Sequence, residues 1–183
     1  MPPEFRLRAR AYHEAGHAVA ALYAERDFAE VYLRSILPDE SGGTGGLADF
    51  RLGVEYSGVL MCLAGMPAKL AIALELLEPQ RAIEWVVDTG KCDIVYAWGL
   101  ASEAACYSGS DKAPAIMSRA ATEAARIVRE YWRGVTAIAT ALLDTDPVES
   151  MSQAEWIVAA ALLGSWVRRL APRSGLGLRR ARP

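Results

Sequence analysis

The segment Ala11-Tyr12-His13-Glu14-Ala15-Gly16-His17-Ala18-Val19 organises the rest of this 183-residue chain. On an α-helix His13 and His17 are four residues apart, so both imidazole rings project from one face, about one turn apart. Two neutral imidazoles at that separation can bind one zinc ion. Glu14 can reach a water on the open side of the metal, take its proton and pass it to a leaving amine. This spacing is typical of zinc-dependent hydrolases, most often peptidases.

A chance match is the alternative interpretation, because short motifs recur and helical histidines are usually structural or exposed. Three features favour a metal site. His13 and His17 are the only two histidines of the chain, and Glu14 occupies the one informative position between them. The neighbouring apolar residues also form a stripe suited to a buried helix, namely Ala11, Ala15, Ala18, Val19 and Leu22.

Length and composition favour one mainly α protein. Of the 183 residues, 52% are hydrophobic, which is enough for a substantial core in one domain. Alanine and leucine dominate, and runs of β-branched residues are few. We therefore predict a single helical domain over residues 1–170 with one small β-hairpin near the active site. Residues 171–183 are basic and contain glycine and proline, so we predict a disordered tail.

The charge distribution argues against a nucleic-acid partner. All 22 acidic residues precede Arg168, whereas the following residues carry only basic charges. The body of the chain is therefore acidic and would repel a phosphate backbone.

Cysteine usage and hydropathy favour a cytoplasmic protein without a membrane span. The three cysteines form no Cys-x-x-Cys motif, which suits a reducing compartment. The longest apolar region, residues 56–77, contains Pro67 and Lys69 at its middle, where a charge would be costly in lipid. We expect a buried core helix there, and we find no secretory signal at the start of the sequence.

Apolar periodicity and turn signals predict six helices. They cover residues 4–24, 55–77, 79–87, 94–106, 113–143 and 152–170. Pro67 is expected to bend or break the second helix, because proline lacks the donor that the helix needs. Gly134 is a weak point in the fifth.

Two short segments, residues 31–36 and 47–52, flank a glycine-rich turn and are predicted to pair as the hairpin. The turn lacks the Gly-x-x-x-x-Gly-Lys-Ser/Thr pattern, so it is not a phosphate-binding loop. The first strand, Val31-Tyr32-Leu33-Arg34-Ser35-Ile36, is the candidate substrate-binding edge. An extended peptide that pairs with it would hold its scissile bond across the metal.

A catalytic zinc takes three protein ligands, and no third histidine exists. Asp93 is the first candidate for the third ligand, because it stands at a helix start after a glycine turn, from which its carboxylate can point inward. An ordinary helix N-cap is an equally good interpretation of this aspartate. Cys92 is the next candidate ligand, and Asp88 follows.

The motif and several later segments resemble the peptidase domain of the FtsH family of ATP-dependent zinc metalloproteases. Residues 11–18 match the zinc motif of that family almost letter for letter, and Leu63-Ala64-Gly65 resembles its leucine–glycine–glycine segment. Thr89-Gly90 and Asp93-Ile94 resemble the stretch that supplies the aspartate ligand of the family. Residues 141–155 resemble its final helix-turn-helix, so the likeness spans most of residues 5–165.

The resemblance implies a helical fold with zinc on His13, His17 and Asp93, and with Glu14 as the general base. Some features depart from the family pattern. The membrane helices and ATPase module that precede the domain in the family are not in this sequence, so we expect a stand-alone peptidase domain. Lys69 stands where the family usually has a glutamate, and the gap between Gly90 and Asp93 is one residue shorter.

Two classes of function follow as hypotheses. The first is a zinc metalloendopeptidase that hydrolyses unfolded polypeptides, or polypeptides that a separate ATPase or delivery protein presents to it. The second is a non-catalytic zinc-containing binding or assembly module on the same fold, although such a module has no use for Glu14. The oligomeric state is left open by the sequence.

Overall fold

The computed structural model describes residues 1–24, 30–31, 56–108, 112–144 and 151–152. Within these ranges the chain forms six α-helices and two short strands. The helices are α1 (Pro3–Tyr23), α2 (Tyr56–Ala73), α3 (Pro79–Thr89), α4 (Lys91–Ser108), α5 (Ala113–Glu130) and α6 (Trp132–Asp144). The strands are β1 (Glu30–Val31) and β2 (Met151–Ser152). The predicted mainly α class is confirmed.

Helix α1 lies at the centre of the fold. It begins at Pro3, a first-turn position at which proline loses no helical hydrogen bond. Every residue from Ala11 to Ala21 is buried, because α2, α5 and α6 all pack against this helix. The histidine motif therefore lies inside the protein rather than on an exposed helix face.

Helices α1 and α2 pack side by side in antiparallel directions. Near the start of α1, the Arg8 guanidinium donates a hydrogen bond of 2.6 Å to the Glu75 carboxylate just beyond the end of α2. Towards the end of α1, the side chain of His17 instead contacts the main chain of Met61, near the start of α2. Between these points the two backbones approach closely, because a Cβ atom on Gly16 would clash with the Ala64 carbonyl oxygen.

Replacing Gly16 with Ala should therefore destabilise the fold. The added Cβ would also lie 3.1 Å from the Ala68 side chain, so the helices would have to separate at a cost of about 1–3 kcal/mol. Gly99→Ala is the matched control, since a Cβ there meets nothing within 4 Å and should stabilise α4 by about 0.5–1 kcal/mol. Denaturant unfolding followed by circular dichroism measures both changes. Equal stability of the two variants would contradict this close packing.

Helix α2 runs through Pro67 without a break. Of the predicted bend or break at this proline, the break is wrong, because packing against α1, α3, α4 and α5 holds the helix together. By length and composition alone α2 could cross a membrane, although 67% of it is buried within the fold. A core helix meets the same criterion.

The predicted β-hairpin is wrong. Strand β1 pairs with β2 in antiparallel register, with Glu30 opposite Ser152 and Val31 opposite Met151. The described part of the first predicted strand thus takes its partner from a distant part of the chain rather than from residues 47–52. Those residues, together with Tyr32, Leu33, Arg34, Ser35 and Ile36, lie outside the described residues.

The predicted fifth helix is two helices in the structure. The division falls at Tyr131, between α5 and α6, rather than at Gly134, which lies within α6. The predicted helix over 152–170 and the domain boundary at 170 lie outside the described residues.

Candidate metal centre

Three potential metal ligands from two separate helices converge on one point. His13 Nε2 lies 3.1 Å from His17 Nε2 and 3.0 Å from Asp93 Oδ2. The distance from His17 Nε2 to Asp93 Oδ2 is 3.9 Å. His13, His17 and Asp93 can therefore hold a metal ion.

These separations are within a few tenths of an ångström of those in tetrahedral coordination. Nitrogen and carboxylate oxygen atoms about 2.0–2.2 Å from one ion in that geometry lie about 3.3–3.6 Å from each other. The observed distances of 3.0, 3.1 and 3.9 Å lie on both sides of that range. Three protein ligands also leave a coordination position open, as catalytic metal sites require.

The orientation of His17 is set by a buried hydrogen bond. Its Nδ1–H donates to the main-chain carbonyl oxygen of Met61 at 2.7 Å. With the proton on Nδ1, the lone pair of the ring is on Nε2, which is the atom that faces His13 and Asp93. Helix α2 thus prepares His17 for metal binding through its backbone.

Gly65 of α2 lies directly against the two imidazole rings. A Cβ atom at this position would lie 2.5 Å from His17 Nε2 and 2.6 Å from His13 Nδ1. Both distances are shorter than any van der Waals contact, so only glycine leaves room for the rings and for an ion between them.

The electrostatics favour the protonation states that bind metal. Burial, and then the neighbouring His17 ring, lower the pKa of His13 to about 4, so this imidazole is neutral at pH 7. Burial alone would raise the pKa of Asp93, but the hydrogen bond with His13 and the electrostatic interactions with His17, His13 and Lys69 outweigh it and lower that pKa. Neutral imidazoles and an ionised carboxylate are the forms that coordinate cations.

Glu14 is buried next to this cluster, with only 3% of its surface exposed. Burial, and then the charge of Asp93, raise the pKa of Glu14 well above its usual range. Among the described residues, its Oε2 atom has no hydrogen-bond partner. A buried carboxylate oxygen without a partner is costly and rare, and it is often found where a protein handles protons or binds an ion or water.

The structure selects Asp93 over the other candidates for the third ligand. Asp93 is the third residue of α4, so it is not the N-cap of that helix. Cys92 is exposed, and Asp88 is exposed and pairs with Lys91. Of the predicted substrate-binding strand, only the main chain of Val31 is described, and it is paired in β1.

Two contacts of the site are not visible in the sequence pattern. The Met61 carbonyl oxygen is a main-chain group, so no residue type marks it. Gly65 belongs to the segment that resembles the family. Its contact with the two imidazole rings, however, follows only from the packing of α2 on α1. In the sequence, this close packing could have been inferred from small residues on the two helices, namely Gly16, Ala64 and Ala68.

Replacing Asp93 with Asn should weaken metal binding by more than about 100-fold, since changes to the groups around metal ligands already cost about 10–100-fold. Asp88→Asn is the matched control, because Asp88 is exposed and points at Lys91 instead. Competition titration with a coloured zinc chelator measures both affinities. Equal zinc affinity of the two variants would remove Asp93 from the ligand set.

No protein-family model matches the chain, and no curated protein matches it either. The resemblance to the FtsH peptidase domain therefore stays a prediction. The case for a function depends on the geometry of the site.

Proposed function

We propose that this protein is a zinc-dependent metallopeptidase with an active site like that of the FtsH peptidase domain. The observation that carries the proposal is the convergence of His13, His17 and Asp93 beside a buried Glu14 whose Oε2 has no hydrogen-bond partner among the residues that the structure describes. A purely structural metal site uses four protein ligands and needs no nearby base. A hydrolytic zinc site instead uses the groups present here: two imidazole ligands, one carboxylate ligand and a second carboxylate that does not bind the metal.

Zinc, when bound, would polarise the carbonyl of the scissile peptide and lower the pKa of water at the site. Glu14 then takes a proton from the attacking water while the water oxygen bonds to the carbonyl carbon. As the carbon–nitrogen bond breaks, Glu14 delivers that proton to the leaving amine. His17 is held in place during this sequence by its hydrogen bond to Met61.

The expected substrates are polypeptides that lack a stable fold or that another protein presents. A peptide must be extended to place one bond against a buried centre, so a folded substrate would first have to be unfolded. A separate ATPase or delivery protein is therefore the expected partner for folded substrates.

Metal removal tests this proposal. The purified protein should contain close to one zinc per chain, measured by plasma mass spectrometry, and should cleave an unfolded model protein. Dialysis against a chelator should abolish cleavage, and added zinc should restore it. Because two histidines and one carboxylate also suit iron(II), the reconstitution is repeated with that metal. Bound zinc without turnover on any unfolded substrate would favour the non-catalytic binding module.

A further inference from the structure

Two cationic side chains stand beside the metal centre, on the side of the N-terminal half of α1. In the antiparallel packing, Gly65 faces His13, and Lys69 lies one turn further along the same face of α2. That position puts Lys69 within electrostatic reach of Arg10 and Glu14 of α1. The pKa of Lys69 reflects this, since burial and then Arg10 lower it to about 8 while Glu14 and Asp93 act in the opposite direction.

Neither cation has a direct anionic partner in the described part of the chain. Lys69 is only 8% exposed, and its ammonium lies 5.0 Å from the centre of the Trp85 ring rather than against a carboxylate. Arg10 Nη1 is buried and has no hydrogen-bond partner within the described ranges. Two like charges placed together and withdrawn from water are unfavourable, and an anion bound near both would relieve that cost.

The charge balance of the site points the same way. Arg10 and Lys69 are two cationic side chains that lie on the same side of the site as the two acidic residues Glu14 and Asp93. A bound divalent metal would add two further positive charges to the site. A site with the same metal ligands and base but without Arg10 and Lys69 would carry two fewer positive charges, so these two residues would strengthen the attraction of the site for a negative group.

We infer that Arg10 and Lys69 form a binding site for a carboxylate of the substrate, so that hydrolysis favours peptides with an anionic group beside the scissile bond. This inference rests on the proposed peptidase function and specifies its substrate class. The carboxylate can be an acidic side chain or the free C-terminus of the peptide.

Matched peptides test the inference and separate the two sources of the carboxylate. One pair of fluorogenic peptides differs only in Glu or Gln next to the cleaved bond, with both C-termini amidated. A second pair is neutral in its side chains and ends in a free carboxylate or an amide. The wild-type protein should cleave the anionic member of at least one pair with a kcat/KM about tenfold or more above that of its neutral partner.

Variants then assign the preference to the two cations. Lys69→Met and Arg10→Met should each bring the ratio of kcat/KM within a pair close to one. Lys112→Met is the matched control, because Lys112 is exposed at the start of α5, and it should keep the wild-type ratio. Lys69→Glu should turn the preference towards a peptide that carries Lys at the same position. Circular dichroism identifies any variant that fails to fold.

A binding measurement separates the failure of this inference from the failure of the proposed function. Fluorescence anisotropy of the labelled peptides with zinc-loaded protein reports affinity whether or not turnover occurs. Tighter binding of the anionic peptide without any cleavage would support the carboxylate site and overturn the peptidase. Cleavage with equal rates and equal affinities for both members of each pair would overturn the carboxylate site alone.

Discussion

Replacing Glu14 with Gln should leave zinc bound and lower the rate of peptide hydrolysis by about 100- to 10,000-fold, the usual contribution of a general base. Glutamine has nearly the same shape, but its amide cannot accept the proton of the attacking water. Steady-state cleavage of an unfolded substrate gives the rate, and plasma mass spectrometry gives the zinc content. The predicted signature is full metal occupancy with a loss in kcat.

Glu103→Gln provides the matched control, since Glu103 is an exposed residue of α4 and its replacement should change neither quantity. Thermal unfolding of the metal-free Glu14→Gln protein should occur at or above the wild-type temperature, because a neutral amide replaces a carboxylate that burial disfavours. Wild-type turnover by Glu14→Gln protein would exclude Glu14 as the base.

Gly65→Ala should abolish tight metal binding while α2 remains helical. Its Cβ would lie 2.5 Å from His17 Nε2 and 2.6 Å from His13 Nδ1, so both rings would have to move. Displacing reactive groups by about 1 Å can already cost about 100-fold in rate, and we expect at least that loss in zinc affinity and in cleavage. Isothermal titration calorimetry with zinc measures the affinity directly.

Alanine favours helix more than glycine does, so helix propensity alone would make Gly65→Ala stabilising. Gly99→Ala makes the same exchange in α4 at a site where the Cβ meets nothing within 4 Å, and it should bind zinc normally. If Gly65→Ala also bound zinc with wild-type affinity, the rings would not occupy the described positions.

The histidine pair could be predicted from the sequence because both ligands belong to one helix. The period of an α-helix alone brings His13 and His17 together, without any knowledge of the fold. Asp93 is different, since it comes from α4 and reaches the histidines only through tertiary packing. Local signals could not separate it from Cys92 or from the N-cap interpretation, and the family resemblance favoured it.

The hairpin could not be predicted correctly for a related reason. Alternating residues indicate a strand but not its partner, and β1 pairs with β2 from a distant part of the chain. The helix boundaries show the same limit. Pro67 weakens a helix locally, yet α2 continues because its neighbours pack against it on both sides of the proline.

The residues that surround the metal ligands could be identified only from the three-dimensional structure. In the sequence, Lys69 is a charged residue within an apolar helix, and that charge argues against a membrane span. In the structure the same charge is buried near Glu14 and Arg10. The structure therefore adds that Lys69 is a charged group beside the candidate metal site.

The most direct measurement is a crystal structure of the zinc-loaded protein with anomalous diffraction at the zinc edge. We predict one zinc ion with His13 Nε2, His17 Nε2 and an Asp93 carboxylate oxygen about 2.0–2.2 Å away. Zinc bound to Cys92 or Asp88, or imidazole rings of His13 and His17 that point away from each other, would contradict the account.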